Sequence, residues 1–172
     1  MFDLVQPSIA LNDEKLKASV EMWQSLCVRR TDTREYIINW TAGVARGAPG
    51  GKVKNIVINS HAFPAYLAFG QSFDLRHTYL FKNWKGLVEN IWIPACFIAL
   101  PVNGKTGNGH QFCSEIAVNA NCNAIASTEE QWSAGKPLPF GKLDTMEGYV
   151  VCYGPNGKVI SVFDLPSKYQ GD

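Results

Sequence analysis

The chain has little charge and no excess of either sign. Charged residues make up 18% of its 172 positions, and 16 Lys and Arg stand against 15 Asp and Glu. A net charge of +1 offers no electrostatic footing for nucleic acid or for an anionic membrane surface. Long apolar runs are also missing. The longest, Ile91–Val102, is broken by Pro94 and Pro101, whereas a membrane-spanning helix needs about 20 apolar residues. Cysteine is sparse and unpatterned: Cys27, Cys96, Cys113, Cys122 and Cys152 are odd in number and contain no CxxC. That argues against a disulfide framework and against a Cys-rich zinc site, and for free thiols in a reducing compartment. His61, His77 and His110 are too scattered for a metal spacing, so no metal or organic cofactor is expected. Nucleotide signatures are absent as well. Gly47–Lys52 lacks GxxxxGK[ST] and precedes a strand, no GxGxxG follows one, and there is no GxSxG elbow. The opening MFDLVQPSIALNDEK has an acid at position 3 and no basic n-region, unlike a secretory signal. The expectation is a cytoplasmic protein, or one exported without a conventional signal peptide.

What is present suffices for one domain spanning residues 1–172. Hydrophobic residues are 46% of the chain, enough for a substantial core without staples. Asn12–Leu26 reads as an amphipathic helix, with Leu16, Val20, Trp23 and Leu26 at helical spacing. Asp32–Arg46 reads as a second, with Asp32 and Glu35 at capping-box spacing and Ile37, Ile38, Thr41 and Val44 as its buried stripe. Val53–Ser60, Asn90–Ala99 and Cys122–Ser127 read as apolar strands. Leu75–Val88 and Asn108–Ala120 read as helices between them, and residues 128–147 as a long surface loop. Tyr149–Tyr153 and Lys158–Phe163 flank Pro155-Asn156-Gly157, a hairpin signal. Apolar strands alternating with helices predict an α/β fold. Its central sheet would be mostly parallel, with helices on both faces, and the chain would end in a hairpin.

Ligands gather past the carboxyl ends of parallel strands. His61 follows VKNIVINS directly, and Cys96 lies near the end of NIWIPAC. If those strands are parallel neighbours, a thiol and an imidazole share one crevice, a nucleophile with its acid–base partner. Cys113 falls on a helix and Cys122 and Cys152 within strands, where packing explains them. Cys27 ends a helix with no partner in sight, and His77 and His110 read as solvated.

The strings IVINSHAFPAYLAFG, IWIPACFIA and GNGHQFCSEIAVNANCNAIAST resemble the caspase-like (clan CD) cysteine peptidases, most of all a small bacterial branch. The matching residues are Ser60-His61, Cys96, Gly109-His110-Gln111-Phe112 and Ala126-Ser127-Thr128, within about residues 53–128. The resemblance implies a three-layer caspase-like sandwich and a cysteine endopeptidase (a hydrolase, or thiol protease) acting on protein or peptide substrates. A role as a bacterial effector or toxin domain is part of the same expectation. It implies Cys96 as nucleophile, His61 as proton donor to the leaving amine, and the backbone N–H groups of Ala62 and Cys96 as oxyanion donors. Ser127 and Thr128 would wall the substrate pocket. Ala62 departs from the glycine that follows the family histidine, and Ala65 from a later one. Two other readings stay open. One is a catalytically inactive binding module with the same fold, in keeping with Ala62 and the low charge. The other is a peptidoglycan amidase using Cys27 with His61 or His77.

Overall fold

The computed structural model describes residues 1–103, 105–133 and 135–166. In chain order the strands are β1 (Phe2–Asp3), β2 (Ser8–Asp13), β3 (Gln24–Val28), β4 (Val53–Asn59), β5 (Ala62–Phe63), β6 (Tyr66–Leu67), β7 (Val88–Ile93), β8 (Asn123–Ser127), β9 (Lys142–Leu143), β10 (Gly148–Tyr153) and β11 (Val159–Leu165). Helix α1 (Arg34–Gly47) follows β3, a 3-10 run (Leu75–Trp84) precedes β7, and α2 (Gly109–Ala120) precedes β8. Seven strands form one mixed sheet in the order β11-β10-β8-β7-β4-β2-β3. The pairs from β3 through β2, β4 and β7 to β8 are parallel, while β10 runs antiparallel to both β8 and β11. In β4, Ile56–Asn59 are all buried, which is why it reads as an unbroken apolar run.

One face of the sheet carries α1, α2 and the 3-10 run Leu75–Trp84. Ile9, Leu11, Ile56, Ile58, Ile91 and Ile93 meet α1 through Ile37 and Ile38, the 3-10 run through Phe81 and Trp84, and α2 through Phe112 and Ile116. Thr33 caps α1 by accepting from the Tyr36 N–H, one residue beyond the expected Asp32, which accepts from the Arg29 N–H. Asn108 caps α2 in the same way through the Gln111 N–H.

The opposite face has no helix among the described residues, and here the expectation of helices on both faces is corrected. Ala10 and Val57 pack there against Leu4, Val20, Met22, Leu138 and Leu143, all from coil or a short strand. The segment read as a helix over Asn12–Leu26 instead completes β2, crosses this face and becomes β3. Asn12 decides it. Buried at the end of β2, its Oδ1 accepts from the Val20 N–H (2.8 Å) and from Asn59 Nδ2 (2.8 Å), and its Nδ2 donates to the Val20 carbonyl (2.9 Å). The side chain thus stands in for a strand partner and pins the crossover at Val20. Residues 128–147, read as a surface loop, supply Leu138, Leu143 and Met146 to this buried layer.

Candidate functional site

Strands β4 and β7 are parallel neighbours, with Ile56 opposite Ile91 and Val57 opposite Trp92. The chain leaves both at the same end of the sheet. From β4 it runs into Ser60-His61, and from β7 through Pro94 into Cys96. The two expected catalytic residues therefore line one crevice of about 260 Å3, with Asn59, Ser60, Pro94, Glu130, Gln131 and Trp132 among its other walls. Among the described residues of its wall, Glu130 is the one carboxylate and none is Lys or Arg. A smaller pocket adjoins it, sharing Asn59, Pro94 and Trp132 and reaching Asp144.

Each approach to the crevice is held by the backbone. The His61 carbonyl accepts from the Ala68 N–H (2.9 Å) and from Ser60 Oγ (3.0 Å), while its ring is exposed and has no hydrogen-bond partner among the described residues. Cys96 is half-buried. The residue after it, Phe97, is left-handed at φ 57°, as is Ala65, whose N–H reaches the Ile98 carbonyl. Such backbone costs free energy in residues with a Cβ and persists where the surroundings impose it, often at functional sites. Here the Phe97 N–H donates to the Glu129 carbonyl and Ala99 N–H to that of Ser127, stitching the cysteine loop to the end of β8. Gly109 at the start of α2 lets the helix touch the same loop. A Cβ there would run into the backbone of Ile98, Ala99 and Leu100.

The thiol does not hydrogen-bond the imidazole. Cys96 Sγ accepts from the Gln131 N–H (3.3 Å) and donates to the Gln131 carbonyl (3.6 Å). Gln131 is itself anchored. Its Nε2 donates to the carbonyls of Glu129, Glu130 and Glu147, and its Oε1 accepts from the Glu147 N–H (2.9 Å). The Cys96 N–H, one of the two expected oxyanion donors, has no hydrogen-bond partner among the described residues. Ala62, the other, is 6% exposed and sits opposite Leu67 in the small β5–β6 ladder.

Ser127 and Thr128 do not line the crevice. Ser127 is fully buried, its Oγ donating to the Glu147 carbonyl (2.7 Å) and accepting from the Glu129 N–H (3.0 Å). Thr128 binds the Tyr149 carbonyl through its N–H (3.0 Å). The wall is built a few residues later, by Glu130, Gln131, Trp132 and Ser133. The readable signal was the polar run Ser127–Gln131 leaving an apolar strand toward the edge where ligands collect.

The remaining thiols and imidazoles are accounted for. Burial pushes the Cys113 and Cys152 thiols up, and that of Cys122 to about 12. Cys27 lies exposed on edge strand β3, not at a helix end. His110, read as solvated, is exposed, and its ring meets Tyr153 edge-on with Nδ1 3.1 Å from the hydroxyl. His77, also read as solvated, closes a capping box on the 3-10 run. Its Nδ1 accepts from the Asp74 N–H, and burial first, then Arg34, holds its pKa below the usual value. Among the described residues no group of three His, Cys, Asp or Glu could hold a metal ion, and no helix is long and apolar enough to cross a membrane. No family model, no curated protein and no solved structure matches this chain.

Proposed function

We propose that this chain is a cysteine hydrolase of caspase-like type that cleaves peptide bonds in protein substrates, with Cys96 as nucleophile and His61 as acid–base partner. The observation that carries this reading is that both side chains line one crevice at the carboxyl ends of adjacent parallel strands. The mostly parallel sheet, ending in two antiparallel strands, is in keeping with a caspase-like fold, although coil and short strands stand where its second helical layer was expected. Neither Phe63 nor Phe97 fills the crevice, as an inactive binding module would have favoured.

In the attack, Cys96 Sγ adds to the peptide carbonyl carbon and its proton goes to His61, directly or through one water. The carbonyl oxygen becomes an oxyanion toward the unpaired Cys96 N–H. Collapse of the adduct breaks the C–N bond, and His61 returns the proton to the leaving amine, giving a thioester. Water, deprotonated by His61, then adds to the thioester carbon, the C–S bond breaks to release the acid, and His61 returns the proton to Cys96 Sγ. In the resting site the thiol donates to the Gln131 carbonyl and its sulfur accepts from the Gln131 N–H. Substrate entry between Cys96 and Gln131 would free the sulfur from the first contact.

A randomised peptide library, read by mass spectrometry, tests this. The wild type should cleave a subset. Cys96→Ala should abolish cleavage with the fold intact, and His61→Ala should cost about 10²–10⁴-fold. Brief iodoacetamide treatment should label Cys96 and exposed Cys27 ahead of Cys113, Cys122 and Cys152. No cleavage by wild type or by Ala62→Gly would instead favour the binding module, and full cleavage by Cys96→Ala would move the site elsewhere.

A further inference from the structure

The chain that leaves the candidate histidine is a tight hairpin with an apolar outer face. Its pairing begins at His61 itself, whose carbonyl accepts from the Ala68 N–H, and continues with Ala62 opposite Leu67 and Phe63 opposite Tyr66. Burial alternates along both strands. Ala62 and Leu67 are buried in the core of the helical face, while His61 and Phe63 are exposed and Tyr66 and Ala68 partly so. Successive side chains of a strand point to opposite sides, so His61, Phe63, Tyr66 and Ala68 share the outer one. Phe63 is 58% exposed, and its ring centre lies 6.2 Å from that of Tyr66. No Lys, Arg, Asp or Glu occurs from His61 to Phe73. Beyond Tyr66 the surface turns charged, with Asp74, Arg76 and Lys105 around a separate hollow, which bounds the apolar patch.

A single exposed apolar side chain is ordinary on a protein surface. This pair differs in being held. Pro64 and left-handed Ala65 make the turn between the strands, the residue positions of a type II turn in which glycine is usual at the third place. Ala65 is fully buried, and its N–H donates to the Ile98 carbonyl (3.3 Å), tying the hairpin to the loop that carries Cys96. The Tyr66 hydroxyl donates to Ser72 Oγ (2.8 Å) and fixes its ring. Leu67 and Phe73 exchange backbone hydrogen bonds in both directions behind it. A surface fixed in this way binds with little further loss of side-chain freedom.

What the pair would bind follows from the proposed hydrolase, on which this inference rests. There His61 gives its proton to the leaving amine, so the substrate chain after the cleaved bond departs past His61. Phe63 lies two residues further along the same face, about 7 Å, a span that an extended substrate also covers in two residues. We infer that the Phe63–Tyr66 pair receives a bulky apolar side chain, aliphatic or aromatic, from the second or third residue after the cleaved bond. Phe63 is then a specificity-determining residue on the leaving-group side of the site.

Products of the randomised library, aligned on the cleaved bond, test the inference. The wild type should enrich Leu, Ile, Met or Phe at the second or third place after it. Peptides that differ only there, Leu against Gly, should be cleaved with kcat/KM values about tenfold apart. In Phe63→Ser that ratio should fall to about one, while Phe63→Tyr keeps it. The ratio compares substrates on one enzyme, so partial unfolding of a variant does not move it. A wild type without preference at these places, or a ratio unchanged in Phe63→Ser, overturns the inference and leaves the hydrolase standing. Absence of cleavage by every form overturns the hydrolase, and the inference with it.

Discussion

The two faces of the central sheet are built from different materials. On the helical face, aliphatic and aromatic side chains from all five parallel strands, α1, α2 and the 3-10 run merge into one buried cluster. Trp84 is typical. It is 1% exposed, meets Phe81 edge-on at 4.9 Å, and donates its Nε1 to the Ile38 carbonyl. On the opposite face the apolar clusters are small, and polar side chains run across the strands. Asn55 Nδ2 donates to Ser8 Oγ, Asn55 Oδ1 accepts from Trp92 Nε1, and Asn123 donates to Asn90. Asn12 and Asn59 continue the pattern to the crevice. Apolar contact is non-directional and tolerates many arrangements, whereas a buried amide fixes particular partners. One face supplies bulk stability, and the other sets the path of the chain that walls the candidate site.

The sharpest break of this contrast would come from its two tryptophans. Trp84→Ala should cost about 3–5 kcal/mol by urea denaturation. Trp92→Ala, half-buried on the other face, should cost roughly 1–3 kcal/mol for its lost hydrogen bond and contacts. Equal losses would mean that the faces share the load. Asn12→Ala should cost about 1–3 kcal/mol, because the Val20 amide and Asn59 lose a buried partner. Hydrogen exchange should rise in residues 14–23 while α1 and α2 keep their protection. Exchange rising equally in the helices would undo the local role given to Asn12. Gly109→Ala joins helix face and site. It should cost about 1–3 kcal/mol through overpacking and change the rate of Cys96 alkylation, since the clash falls on Ile98–Leu100. An unaltered alkylation rate would detach α2 from the cysteine loop.

The smallest effect is that of pH. Burial and Arg34 hold His77 below its usual 6.5, so the unfolded chain takes up that proton first. The stabilisation is present above pH 6.5 and is lost as pH falls through the lower folded value. Asp74 acts in the same sense further down. Its hydrogen bond with Arg76 holds it below 3.8, and its contribution is lost as acid protonates the folded carboxylate. Urea midpoints should fall on acidification below pH 6.5, and less steeply in His77→Gln. An identical slope in that variant would remove His77 from the account.

Much of the helical face was legible. Ile37 and Ile38 at helical spacing, Phe112 with Ile116, and the β-branched run of β4 each mark an element that packs along its whole length. The carboxyl-end rule led from there to His61 and Cys96. Asn12–Leu26 misled because its apolar residues fit a helical period, while the deciding interaction joins Asn12 to Val20 and Asn59, and the latter lies 47 residues away. His77 misled because a polar ring reads as exposed until its partner, here the Asp74 amide, is folded against it.

By itself the amino-acid sequence determined what local patterning can carry: a mostly parallel α/β sheet, the alternation of strands and helical segments from α1 to β8, and a histidine and a cysteine at the ends of two apolar strands. Tertiary structure alone decided that those strands are neighbours, that the helices gather on one face, and that Gln131 holds the thiol. It also moved the crevice wall from Ser127 and Thr128 to Glu130–Ser133. Periodicity acts between residues a few positions apart, and these outcomes depend on hydrogen bonds and packing between residues tens of positions apart, which exist only once the sheet has formed.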